Sequence, residues 1–131
     1  MSRFIIPTLA ILAVAAAGCG VPSTYTGRND PYAARQIQFT SADLENDTAV
    51  GTPILSRDPF GYLHVQVPIR STINQDLHVD YQTQFFDRGG MVIETTAWHT
   101  VTLAANNPTS VSDVCTSPAA ENFEMTFRYA R

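Results

Sequence analysis

The chain has 131 residues, room for one small domain and not for two, and 44% of them are hydrophobic against 15% charged, which excludes an intrinsically disordered chain. Its 8 basic residues, all Arg, face 12 acidic ones for a formal net charge of −4. Such a chain lacks the basic patch needed for nucleic-acid phosphates or anionic headgroups.

The first element predicted is an export signal over residues 1–18. Met1-Ser2-Arg3 gives a short positive start, and Phe4 to Ala17 is an uncharged, largely apolar run. A spanning helix needs roughly 20 apolar residues; this run is shorter and contains Pro7. It ends in Ala16-Ala17-Gly18-Cys19, which resembles a lipobox with Ala16 where Leu is usual. Cys19 is therefore expected to be the lipidated N-terminus. Ordinary signal cleavage nearby and an uncleaved anchor are the alternatives. Two or three acyl chains, at roughly 0.8 kcal/mol per buried methylene, make such an anchor effectively permanent. Loss of Arg3 with the leader takes the formal charge from −4 to about −5. By resemblance to enterobacterial sorting, Gly20 in place of Asp after the cysteine favours the outer membrane.

Residues 19–34 are expected to form the lipidated end and a tether, being rich in Gly, Pro, Ser, Thr, Asn and Asp without apolar periodicity. A flexible stretch of that length reaches roughly 20 Å. Residues 35–131 are expected to form one all-β domain, because short alternating runs recur between turn clusters. Ile37–Thr40 and Thr52–Ser56 are weak strands. Ser41 to Thr48 could form a single helical turn. Leu63, Val65, Val67 and Ile69 then alternate with His64, Gln66, Pro68 and Arg70, and Leu77, Val79, Tyr81, Thr83 and Phe85 with His78, Asp80, Gln82, Gln84 and Phe86. Pro68 cannot donate to a ladder, so it predicts an edge or a local break. Asp87-Arg88-Gly89-Gly90 suits a hairpin turn leading into Met91 to Trp98. Val101–Leu103, Val111–Cys115 and Phe123–Tyr129 complete the set.

Candidate chemistry is thin. With Cys19 acylated, Cys115 has no intramolecular partner; its apolar neighbours predict a buried, inert thiol, with intermolecular pairing and a nucleophile as alternatives. His64, His78 and His99 lack compact metal-ligand spacing, so neither metal nor cofactor is expected. Asp87, Glu94, Asp113, Glu121 and Glu124 read as solvated charges in turns or at outward positions. No phosphate loop, nucleophile elbow or Cys-x-x-Cys pair occurs, and no enzyme is expected. Trp98 is expected in the core rather than as an exposed sugar-stacking ring. Phe85 and Phe86 cannot both face one core, since successive strand residues point oppositely. The polar face comprising His64, Gln66, Arg70, His78, Asp80, Gln82, Gln84 and Phe86 is the candidate partner surface, with an ordinary solvated face as the alternative.

From Arg57 onward the chain resembles the YcfL-like family of small bacterial lipoproteins. The likeness rests on Gly61 to Arg70, on Leu77 to Asp87 with Gly90 and Trp98, and on Asn122 to Tyr129. Pro68 and Cys115 depart from the family pattern. The resemblance implies an immunoglobulin-like antiparallel β-sandwich of about seven strands, lipid-anchored in the periplasm, with no enzymatic site to carry over. It also implies an envelope protein partner linked to peptidoglycan synthesis. The expected function is a non-catalytic binding or scaffolding module. A structural subunit of a larger envelope or secretion assembly is the second expectation, and an enzyme using Cys115 or the histidines the third.

Overall fold

The computed structural model describes residues 36–131, so the expected leader, Cys19 and the tether lie outside the described residues. Nine strands and one short helix follow in order: β1 (Ile37–Phe39), α1 (Ala42–Asp47), β2 (Thr48–Val50), β3 (Ile54–Arg57), β4 (Leu63–Ser71), β5 (Leu77–Phe86), β6 (Val92–Thr95), β7 (His99–Leu103), β8 (Thr109–Val114) and β9 (Asn122–Tyr129). The fold is all-β and sandwich-like. One sheet contains β1, β9, β5, β6 and β7; the other contains β2, β3, β4 and β8.

The two long alternating runs explain this division. Leu63, Val65, Val67 and Ile69 on β4 are buried, and so are Leu77, Val79, Thr83 and Phe85 on β5. Because β4 and β5 belong to different sheets, their apolar faces close on one another. Phe85, Phe123, Met125 and Phe127 fill the centre. Each such side chain contributes about 1.5–3 kcal/mol on burial.

Nine strands appear instead of about seven because each long strand shares one side between two short partners. β2 and β3 succeed one another along β4, while β6 and β7 succeed one another along β5. Pro68 accounts for the first division. Its carbonyl accepts from Gly51 N at 2.8 Å, midway between the stretches paired with β2 and β3, so the missing proline N–H falls where the ladder is already interrupted. The expected local break is present, although β4 is central and not an edge. A Cβ on Gly51 would meet the Pro68 ring at 3.1 Å, which is why the smallest residue stands there.

The first sheet is mixed, not purely antiparallel, since β1 runs parallel to β9. The helical turn forms as the residues suggest. The Ser41 side chain accepts from Leu44 N, Leu44 is fully buried, and Thr48 Oγ1 donates to Leu44 O at 2.7 Å. The hairpin after β5 also forms. Asp87 Oδ1 accepts from Gly89 N and Met91 N, and Gly90 takes φ +80°, which glycine adopts without strain.

Candidate functional site

The eight residues expected to share one partner surface do not share one. His64, Gln66 and Arg70 lie on the outer side of β4, whereas His78, Asp80, Gln82, Gln84 and Phe86 lie on the outer side of β5 in the opposite sheet. Consecutive strands that cross between sheets turn their polar faces away from each other. His64 is half-buried beside Asp58 Oδ2 at 3.3 Å, and His78 Nδ1 meets Thr102 Oγ1 at 2.9 Å. Among the described residues, no three His, Cys, Asp or Glu side chains come together as a metal-ligand group.

Asp80 corrects the expectation further, being only 6% exposed. Thr100 Oγ1 donates to its Oδ1 at 2.6 Å and Arg128 Nε to its Oδ2 at 3.1 Å, from the strands flanking β5 on either side. The Thr100 hydroxyl and then Arg128 outweigh the cost of burial and hold the carboxyl below its usual range. Trp98, expected in the core, is instead half-buried on this outer face, where the Arg128 guanidinium lies 3.9 Å from its ring centroid. The residues before β7 carry the indole outward because His99 aligns with Tyr81, leaving the preceding position beyond the ladder.

Among the described residues, two recesses adjoin the outer face of the first sheet. One, of about 460 Å³, is bounded by Phe86, the Asp87–Gly90 turn and residues 121–124. Phe85 is fully buried while Phe86 is half-buried, so strand alternation resolves the doublet by sending one ring into the core and the other to this recess. Met91 and Val92 stand exposed beside it. Asp87, Glu121 and Glu124 supply three carboxylates against the single Arg88, and Glu121 also meets Arg57 at 3.4 Å. The other recess, of about 410 Å³, is bounded by Trp98, Arg128, Tyr129 and Arg131 with Thr40 and Ser41. Gln82 lies on the strand face between them, half-buried.

A polar seam joins the two sheets where β8 approaches β5. Asp113, read from the sequence as an outward charge, faces inward with Val111 and Cys115 and is 9% exposed. Thr83 Oγ1, fully buried, makes a short hydrogen bond to Asp113 Oδ2. Thr96 Oγ1 lies 3.4 Å from the same oxygen, and His99 Nε2 lies 3.6 Å from Oδ1. Cys115 is buried as expected, with Sγ 3.3 Å from Glu94 Oε2. Burial pushes the thiol above its usual range and the Glu94 carboxylate adds to that. Burial alone would raise Glu94, but the Thr116 donors outweigh it and leave the carboxyl lowered. Burial and the neighbouring carboxylate thus both disfavour the thiolate, the form in which a cysteine reacts.

Sequence reasoning missed Arg131 and the Trp98–Arg128 stack. An indole at the end of an alternating run gives no sign of which face it will take until the neighbouring strand is known.

Residues 35–129 match the family described as "Protein of unknown function (DUF1425)". The fold is similar to the crystal structure of Campylobacter jejuni cj0090, with a TM-score of 0.64 at 16% identity over 73% of this chain and 99% of that one. It is also similar to a family member from Shewanella sp. pv-4, with a TM-score of 0.58 at 20% identity over 64% of this chain and 79% of that one. At such identities the likeness is one of fold alone. No curated protein matches the chain.

Proposed function

We propose, since this chain belongs to the DUF1425 family of proteins of unknown function, that it is a non-catalytic binding module of the cell envelope. In this reading it is a YcfL-like periplasmic lipoprotein, held through Cys19 to the outer membrane, that docks an extended basic segment of an envelope protein. The leader and the lipobox-like Ala16-Ala17-Gly18-Cys19 support the address. The observation that carries the docking reading is the Phe86 recess: a half-buried aromatic ring lies in a concavity whose charged rim is mostly acidic. A basic segment complements that rim. Asp80, Asp113 and the Cys115–Glu94 pair are each engaged by neighbouring strands or loops, which supports a binding role over catalysis at those groups.

The test is a photo-reactive side chain placed at position 86, with position 66 on the opposite sheet as reference, in cells carrying the full chain. A discrete adduct from 86 and none from 66 is expected. Equal labelling at both, or none at 86, overturns the docking surface. Mass spectrometry of the same material bears on the anchor, since an N-terminus without acyl mass on Cys19 overturns the lipoprotein reading.

A further inference from the structure

The end of the sandwich at which the chain enters is its apolar end. Gln36 Nε2 donates to Asn122 Oδ1 at 3.3 Å, and Asn122 pairs with Phe86 at the close of β5. Three loops meet there. Glu121 N donates to Phe86 O at 2.8 Å beside the 87–90 turn, Arg57 donates to Ala120 O, and a Cβ on Gly61 would lie 3.6 Å from Pro118. The loops 58–62, 87–91 and 116–121 therefore adjoin one another, and at this end Phe60 is 77% exposed, Met91 68% and Val92 51%. Ile54, Leu55 and Val114, also exposed, pair with Gln66, Val65 and His64 in the half of β4 nearer this end. Of the large hydrophobic side chains exposed among the described residues, Tyr129 alone lies at the other end. The loops there, 72–76 and 104–108, carry Thr72, Asn74, Gln75, Asp76, Asn106 and Asn107.

We infer that this end, led by Phe60, Met91 and Val92, seats on the surface of the bilayer to which the chain is anchored. The inference rests on the Cys19 anchor of the preceding reading and not on its docking partner; Phe86 faces outward in its recess, and the contact does not use it. Sixteen residues, 20–35, separate Cys19 from Gln36, a length whose root-mean-square reach as a coil is roughly 20–24 Å. The ten residues of β5 make the sandwich about 34 Å long. The end at Gln36 is thus within reach of the lipid surface, and the far end meets it only if the domain turns over on a stretched tether. Phe60 and Met91 stand on loops fixed by their own acidic residues. Asp58 Oδ1 accepts from Phe60 N and Tyr62 N, each at 2.9 Å, as Asp87 Oδ1 does from Gly89 N and Met91 N. Apolar side chains held this way lose little freedom on being covered, and the headgroup and acyl boundary they would enter is roughly 5–10 Å deep. The amphipathic Tyr62 ring, 6.2 Å from Phe60, suits that layer. Asp58, Asp87 and Glu121 outnumber Arg57 and Arg88 here, so the contact is apolar and favours a zwitterionic surface.

The test adds the full acylated chain, from detergent, to phosphatidylcholine vesicles that contain a lipid with a nitroxide near its headgroup. A fluorophore is attached at Met91→Cys or Ala119→Cys at the apolar end, or at Gln75→Cys at the other. The chain without an added cysteine gives the background from buried Cys115. Quenching at 91 and 119 is expected to be at least about threefold stronger than at 75. Combining Phe60→Asp with Met91→Asp, both at exposed side chains, should lower the quenching at 119 at least about threefold with an unchanged melting temperature. Unchanged quenching in that variant would mean that the tether alone keeps this end near lipid, and overturns the contact. Equal quenching at 75 and 91, or none at either on vesicles that retain the chain, overturns the inference and leaves the anchor standing. A probe at 119 shielded from aqueous iodide as well as from the nitroxide would have a protein partner or a second copy over it, which also overturns the inference. A chain that does not float with the vesicles overturns the anchor and the inference together.

Discussion

Replacing Thr83 by Val tests whether the seam between the sheets is held by a charge that must be paired. The two side chains have nearly the same shape, so the change removes one hydroxyl donor without leaving a cavity. Asp113 then remains 9% exposed with only Thr96 at 3.4 Å and His99 at 3.6 Å, both longer than a good hydrogen bond to a carboxylate. Hydrogen bonds to charged groups are worth about 1.5–3 kcal/mol, so the loss is expected near 2 kcal/mol. For a domain of this size that is a fall of about 8–16 °C in Tm. Urea unfolding followed by Trp98 fluorescence should show a lower midpoint at unchanged slope. Adding Asp113→Asn to Thr83→Val should recover part of the loss, because a neutral amide is cheaper than a carboxylate to leave half-paired. A loss below about 0.5 kcal/mol for Thr83→Val would refute the reasoning, since surface substitutions away from such features fall in that range.

Cys115 should resist alkylation in the folded chain by about two orders of magnitude relative to the urea-unfolded chain, because burial and Glu94 both disfavour its thiolate; a native rate within about tenfold of the unfolded one contradicts this. Cys115→Ala should cost at most about 3 kcal/mol, read from the same urea curves. Asp80 governs part of the acid limb of stability. Its folded-state pKa lies below the unfolded value, so its contribution is complete above about pH 4 and is lost as pH falls through the folded value. Asp80→Asn should therefore lower Tm most at neutral pH, with the gap to the parent chain narrowing below about pH 4; a gap independent of pH excludes this role.

The elements legible in the sequence are those where one face alone decides burial. The alternations at Leu63–Ile69, Leu77–Phe85 and Phe123–Phe127 gave the long strands, because period-two apolarity maps directly onto a sheet with one dry side. The Phe85–Phe86 doublet was legible for the same reason. Asp113 was not, because a carboxylate between Val111 and Cys115 faces inward only when a donor such as Thr83 waits on a strand 30 residues away. Asp80 is the converse case, correctly assigned to the outer face yet buried there by Arg128 and Thr100, partners 48 and 20 positions distant. The division of the partner surface also lay beyond the pattern, since alternation fixes which side of a strand is polar but not which sheet the strand joins.

The parallel pairing of β1 with β9 has a mechanical consequence. Traction on the chain from the side preceding Gln36 reaches the domain first at a strand of three residues. There the bonds from Met125 N to Gln36 O and from Thr40 N to Phe127 O, with those between them, lie across the direction of pull. Traction along the strand strains all of them together in shear instead of peeling them one at a time. The load then passes to β9, which is tied along its length to β5 at the middle of the sheet. A short strand can in this way be a firm point of attachment.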